Sequence, residues 1–250
     1  MAIPIRKPSE IDALAKANHL VALTLETVKS HIKPGITTRE LDQIAEEFIR
    51  SHGGIPSFKG LYDFPNAVCT SVNSVIIHGI PNDQKLEEGD IVGIDIGVEM
   101  EGWFGDAAFT AAVGTISEQS QSLIDCARDT LYEAIESIHS GMRFKELSAV
   151  LERSIVSRGF VPLRGYCGHG IGRKPHEEPS ILNYVEGKSN QGPKIKDGMV
   201  FCIEPMICQK SGDSRLLEDK WSVVSTDGLT GSHFEHTVAV IGGKAEILSI

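Results

Sequence analysis

The motif Gly89-Asp-Ile-Val-Gly-Ile-Asp95 returns in altered form as Gly198-Met-Val-Phe-Cys-Ile-Glu204, an offset of 198 − 89 = 109 residues. Gly35-Ile-Thr-Thr-Arg-Glu-Leu41 likewise returns as Gly141-Met-Arg-Phe-Lys-Glu-Leu147, an offset of 141 − 35 = 106. Two matches at nearly one offset point to two related halves, each made of helices followed by antiparallel strands. Both copies of the first motif end an apolar run on an acid, so the repeat sets a carboxylate at corresponding places in the two halves.

The hydrophobic periodicity agrees with this plan. Ser9, with Asp12 three residues on, opens a helix that carries Ile11, Leu14, Val21, Leu25, Val28 and Ile32 at helical spacing up to Pro34-Gly35. Thr37 with Glu40 forms a capping box ahead of Leu41, Ile44, Ala45 and Phe48. Leu123 to Ile138 and Leu147 to Ile155 repeat the pair. Strand-like runs rich in β-branched residues span 91–98, 107–113, 199–206 and 236–241. With 250 residues, a hydrophobic fraction of 41% and no low-complexity linker, one domain over residues 1–250 is expected.

A formal net charge of −10 argues against a nucleic-acid footprint, and some of that acidity is expected to be metal-binding. Five scattered cysteines without a C-x-x-C pair fit reduced thiols, and no apolar stretch has signal-peptide or membrane-spanning length, so a cytoplasmic protein away from membranes is expected. Cys69, Cys167 and Cys202 read as small buried hydrophobes.

The acids sit where strands should be apolar. If the turn after 91–98 centres on Met100-Glu101, Asp95 and Asp106 face each other directly, because their indices sum to 201. Like charges opposed on a sheet need neutralising. Gly93 and Gly97 clear space on the same face, while Val92, Ile94, Ile96 and Val98 form the opposite, core face. Glu204 and Glu235 sum to 439, which permits the same opposition across a long loop. His169 lies between glycines in Gly168-His-Gly-Ile-Gly172, where the backbone is free to present an imidazole. No helix follows to make this a phosphate loop, since Pro175 and Pro179 intervene. Any one of these residues alone is an ordinary cap, edge charge or loop histidine. Four acids and a histidine together form an oxygen-rich set with one imidazole, suited to Mn, Fe, Co or Zn. His233 and His236 fall on opposite strand faces and are read as non-ligands.

With these residues stands a run of longer motifs: Val68-Cys-Thr-Ser-Val-Asn-Ser-Val-Ile-Ile-His-Gly-Ile-Pro81, Gly105-Asp106, Gly168-His-Gly-Ile-Gly-Arg-Lys-Pro-His-Glu-Glu-Pro179 and Phe234-Glu-His-Thr237. In these the chain resembles the bacterial type I methionine aminopeptidases of the pita-bread metallopeptidase family, nearly end to end. The resemblance implies an α+β pita-bread (creatinase/aminopeptidase) fold, with two pseudo-symmetric halves around a central sheet. It implies a hydrolase that removes initiator methionine from nascent proteins and peptides, preferring a small second residue, through two divalent ions and a shared water or hydroxide. Asp95 would give two oxygens to one ion, His169 and Glu204 would bind the other, and Asp106 and Glu235 would bridge them. His78 and His176 would contact substrate near the scissile amide, and Glu204 is also placed to shuttle protons. Trp221 and the segment around Phe58, Leu61, Tyr62, Phe64 and Cys69 would lie near the pocket for the methionine side chain or its neighbour. A monomer is expected, with the ribosome a candidate meeting place for substrate. Lys59, Leu61, Asp63, Pro175 and His233 depart from the family's common pattern and bear on pocket shape. The rival readings are a proline-directed relative such as aminopeptidase P or prolidase, and a binding module that has lost its ligands. All five ligand positions are filled, and no Gly-x-Ser-x-Gly elbow marks a serine hydrolase.

Overall fold

A computed structural model describes residues 2–250. Helices α1 (Pro8–His31) and α2 (Thr38–Ser51) precede β1 (Ile55–Pro56), β2 (Val68–Val72), β3 (Val75–Ile77), β4 (Ile91–Met100) and β5 (Trp103–Ala112). Then α3 (Glu118–Ser137) and α4 (Phe144–Ser157) lead into β6 (Val161–Pro162), β7 (Cys167–Gly170), β8 (Glu177–Leu182) and β9 (Val200–Ile203). The chain ends with β10 (Met206–Cys208), β11 (Ser214–Leu216), β12 (Val223–Ser225), β13 (Gly231–His233), β14 (Glu235–Ile241) and β15 (Lys244–Ile247).

The repeat is visible in the elements themselves. Helices α2 and α4 each have 14 residues, at 38–51 and 144–157, an offset of 144 − 38 = 106. Gly35 and Gly141 end the preceding turns at φ 93° and 94°, a left-handed conformation that glycine adopts without steric cost. Each helix pair packs on the outer face of its own strands. Val21, Leu25, Leu41, Ala45 and Ile49 cover Val92, Ile94, Ile96 and Val98, while Leu131, Ile135, Leu147 and Leu151 cover Phe201, Ile203, Val238 and Val240. Burying each such side chain is worth about 1.5–3 kcal/mol. The helices therefore hold one face of a continuous sheet and leave the other to the site.

That sheet has nine strands, in the order β1-β4-β5-β14-β9-β7-β8, with β15 pairing β14 and β2 pairing β4. The halves join where β5 meets β14, through Glu235↔Ala108 and His236↔Ala107.

Three sequence expectations shift. Helix α1 starts one residue earlier, with Pro8 at its first turn and the Glu10 carboxylate accepting from the Lys7 N–H at 2.9 Å, so Ser9 and Asp12 are not its cap. The run 199–206 divides into β9 and β10 around Glu204-Pro205, because proline has no N–H for the ladder. The β4–β5 turn centres on Glu101-Gly102, not Met100-Glu101. Both residues have positive φ, 54° and 74°, as the twist of a two-residue hairpin favours. Asp95 therefore faces Ala108 and Asp106 faces Gly97. The two aspartates are diagonal neighbours on one face, because moving the turn by one residue moves the partner by two.

A buried carboxylate away from the site secures the first half. Asp42, 5% exposed on α2, accepts from Asn66 Nδ2 at 2.7 Å and from the backbone N–H groups of Ala67 and Val68 at 2.9 and 3.1 Å. It fixes the entry of β2 beside β4. Asp42→Ala would strand two backbone donors, and we expect a loss of about 2–4 kcal/mol in urea unfolding. A loss below about 0.5 kcal/mol would show that water replaces the carboxylate.

Candidate active site

Alternation along β4 sends Val92, Ile94, Ile96 and Val98 to the helices and Asp95 to the inner face. Gly97, opposite Asp106, has no side chain because the Phe58 ring and the Ser57 hydroxyl fill that place, where a Cβ would collide with both. The room read beside Asp95 from sequence thus belongs in part to an aromatic wall. Asp106 is held through its backbone from two directions. Its N–H donates to Asn18 Oδ1 of α1 at 3.2 Å, and its carbonyl accepts from the Thr237 hydroxyl of β14 at 2.8 Å.

The second half supplies the facing groups. The β14–β9 register pairs His236 with Ile203, and carried on by one residue it sets Glu235 against Glu204, the permitted index sum. His169 lies on β7, with Nδ1 against the Gly170 carbonyl at 3.0 Å, so that Nε2 is free and 3.5 Å from Glu204 Oε1. The His176 ring stands edge-on to it with centroids 4.5 Å apart. His236 turns away to Ser249 and Tyr132, as the face argument required. His233, set aside as a non-ligand, instead points inward, with Nε2 3.9 Å from both Glu204 Oε2 and Glu235 Oε2.

Burial raises the carboxyls of Asp95, Asp106, Glu204 and Glu235 above the ordinary range, and for the last three the neighbouring acids raise them further. Burial, with His176 nearby, lowers His169 to about 3, and burial with His78 nearby lowers His233 to about 3. Both imidazoles are therefore neutral and form no ion pair with Glu204. Asp95 Oδ1, Asp106 Oδ1, Glu204 Oε1, Glu235 Oε1 and His233 Nε2 are buried with no hydrogen-bond partner among the described residues. Buried acids are costly when unpaired, and neither Lys nor Arg lines this space among the described residues. Oxygen ligands, a free imidazole nitrogen and uncompensated charge fit divalent cations. Three overlapping groups, Asp95–Asp106–Glu235, Glu204–His233–Glu235 and His169–Cys202–Glu235, have ligand atoms close enough to share an ion.

The carboxylates open onto a cavity of about 520 Å³. Each residue given a ligand, substrate or pocket role from sequence lines it: Asp95, Asp106, His169, Glu204, Glu235, His78, His176, Phe58, Leu61, Tyr62, Phe64, Cys69 and Trp221, whereas Lys59, Asp63, Pro175 and His233, read as bearing on pocket shape, are not in its lining. Phe64 and Trp221 meet edge to face at 5.1 Å, and Tyr62 lies parallel to His176 at 6.2 Å. Sequence reading missed Ile77, Tyr166, Cys167 and Ser180 in the lining. Tyr166, edge-on to His78 at 5.8 Å, could have been found from its place beside the Gly168–Gly172 motif. Cys69 and Cys202 are buried and Cys167 is half-buried, and all five cysteines are free thiols.

Comparison with known proteins narrows the reading. The sequence profile of metallopeptidase family M24 matches residues 12–241. A methionine aminopeptidase of Helicobacter pylori strain J99 is 57% identical, the alignment covering 100% of this chain and 99% of that one. Methionine aminopeptidase 1 of Bacillus subtilis strain 168 is 43% identical, with 98% of each covered. The crystal structure of methionine aminopeptidase from Rickettsia prowazekii superposes with a TM-score of 0.96 at 36% identity, covering 100% of both chains. Pyrococcus furiosus prolidase shares the fold alone, with a TM-score of 0.80 at 24% identity and 65% of its chain covered. The α+β pita-bread expectation holds.

The raised carboxyls have a consequence for pH. A carboxyl raised in the folded state adds stability below its unfolded value, about 4, and loses it as pH rises through the folded value. A cation binds the ionised form and reverses the loss. Above about pH 7 the histidines are neutral folded and unfolded, so the carboxyls dominate. The gain in Tm on adding Zn²⁺ or Mn²⁺ should be larger at about pH 8.5 than at about pH 7, with proton release seen as a buffer-dependent binding enthalpy. Equal gains without proton release would mean that the carboxyls do not face the ion.

Proposed function

This chain belongs to metallopeptidase family M24, and on that premise we propose that its cavity removes the amino-terminal methionine of nascent proteins and peptides. It is a metal-dependent aminopeptidase. One observation carries the reading. Partnerless carboxylates and an apolar wall of Phe58, Phe64, Cys69 and Trp221 line the same cavity.

Asp95, Asp106, His169, Glu204 and Glu235 would hold two divalent ions, of Co, Mn, Fe or Zn. Such ions would supply Lewis acidity and a water of lowered pKa at neutral pH. The apolar wall takes the unbranched thioether side chain, whose soft, flexible shape suits an aromatic-lined pocket. His78 and His176 contact the scissile amide. Burial lowers both, His78 to about 4 with help from His176, so each is a neutral ring with one N–H to donate and no charge to oppose nearby cations. His176 donates to the carbonyl oxygen as charge develops on it. Glu204, facing the same cavity, takes the proton from the nucleophile and passes it to the leaving amine. The chain works as one catalytic domain over residues 1–250, a cytoplasmic monomer that meets its substrates at the ribosome. No described helix is long and apolar enough to cross a membrane.

The deciding experiment uses chelated enzyme reloaded with Mn, Co, Fe or Zn on Met-Ala-Ser, Leu-Ala-Ser and Ala-Pro-Ser. Metal-restored release of methionine alone is expected. Cleavage of the Ala-Pro bond would move the chain to the proline-directed relatives, and inactivity with every metal would make it a binding module. Asp106→Asn should lower kcat/KM by about 100-fold or more, since even residues behind the ligands cost about 10–100-fold. His176→Ala should lower kcat by about 10²–10³ with metal content unchanged. Collapse of metal content in the latter would make His176 a ligand.

A further inference from the structure

Resting on the metal centre just proposed, we propose that His233 Nε2 is a further ligand, giving the Glu204–Glu235 side of that centre a second imidazole beside His169. His233 closes β13 and is 4% exposed. Its backbone is clamped by one side chain of β5, because the Thr110 hydroxyl accepts from the His233 N–H at 3.0 Å and donates to its carbonyl at 2.8 Å. The ring is thus delivered from a fixed base. Its Nε2 is buried without a hydrogen-bond partner among the described residues, and at 3.9 Å from Glu204 Oε2 and from Glu235 Oε2 it is too far to donate to either.

That separation is instead one that shared coordination produces. Two ligand bonds of about 2.0–2.2 Å meeting at one cation hold their donor atoms roughly 3–4 Å apart. His233, Glu204 and Glu235 each present an atom within 4.8 Å of the others. Glu204 lies between two imidazoles, with Oε1 3.5 Å from His169 Nε2 and Oε2 3.9 Å from His233 Nε2. Imidazole favours Zn, Co and Fe over Mn, so a second ring tilts the centre toward those metals.

X-ray absorption of wild-type protein loaded with Zn²⁺ or Co²⁺ counts imidazoles directly and needs no variant. At full occupancy, two rings per pair of ions are expected, and a count of one would overturn the proposal. His233→Gln should reduce the count to one and weaken Co²⁺ about 10-fold or more in competition with a chromophoric chelator, with a smaller change for Mn²⁺. Unchanged count and affinities in a variant whose metal-free circular dichroism matches wild type would also overturn it. The two readings fail separately. Methionine release by a one-imidazole centre would sink only the role of His233, whereas two imidazoles without methionine release would sink only the catalytic reading.

Discussion

Four carboxylates buried together without a protein cation set the terms for the rest of this structure. Asp95, Asp106, Glu204 and Glu235 repel one another in a space from which water is largely removed, and a chain of this size has only a small margin of stability to oppose that. The opposing forces are spread over the fold. Four helices bury the outer sheet face, and backbone locks hold the acids by their peptides instead of their oxygens. Asn18 and Thr237 grip the Asp106 peptide, and Asn183 donates to the Glu204 carbonyl at 2.9 Å. The carboxylate oxygens are left free for something that is not protein.

The neutral histidines around the acids follow from the same burial. An imidazolium would satisfy a carboxylate, but it would also compete with a cation for it. Desolvation keeps His78, His169, His176 and His233 uncharged, so no imidazolium competes with a metal for the acids, while the rings offer lone pairs or N–H groups. The apolar side of the cavity strengthens this by excluding water from the carboxylates, so the pocket wall and the metal centre share one dielectric.

Much of this was legible in the sequence because period and repeat are local signals. The duplicated helix pair, the Thr37–Glu40 cap and the inward alternation of β4 follow from spacing alone. The β4–β5 register did not, since its turn places Glu101 at positive φ, which residue type scarcely marks. The error shifted Asp106 along the strand by two positions without changing its face, so the pairing was misread while the acid pair was found. Asn18 and Thr110 were invisible for another reason. A polar residue inside a helix or strand reads as a surface position until its partner, 88 or 123 residues away, is known. His233 escaped because strand parity separates it from His236 without saying which of the two faces inward.

The half-repeat also breaks its own symmetry at the centre. Asp95 and Glu204 occupy equivalent places in the repeated motif, yet one arm is a methylene longer, and the first half contributes only aspartates where the second contributes glutamates and imidazole. A scaffold of matched halves thus frames two unlike sets of donor atoms. One is short-armed and all oxygen, the other longer-reaching and mixed with nitrogen. Any divalent cation held between the halves therefore meets a different donor chemistry from each side.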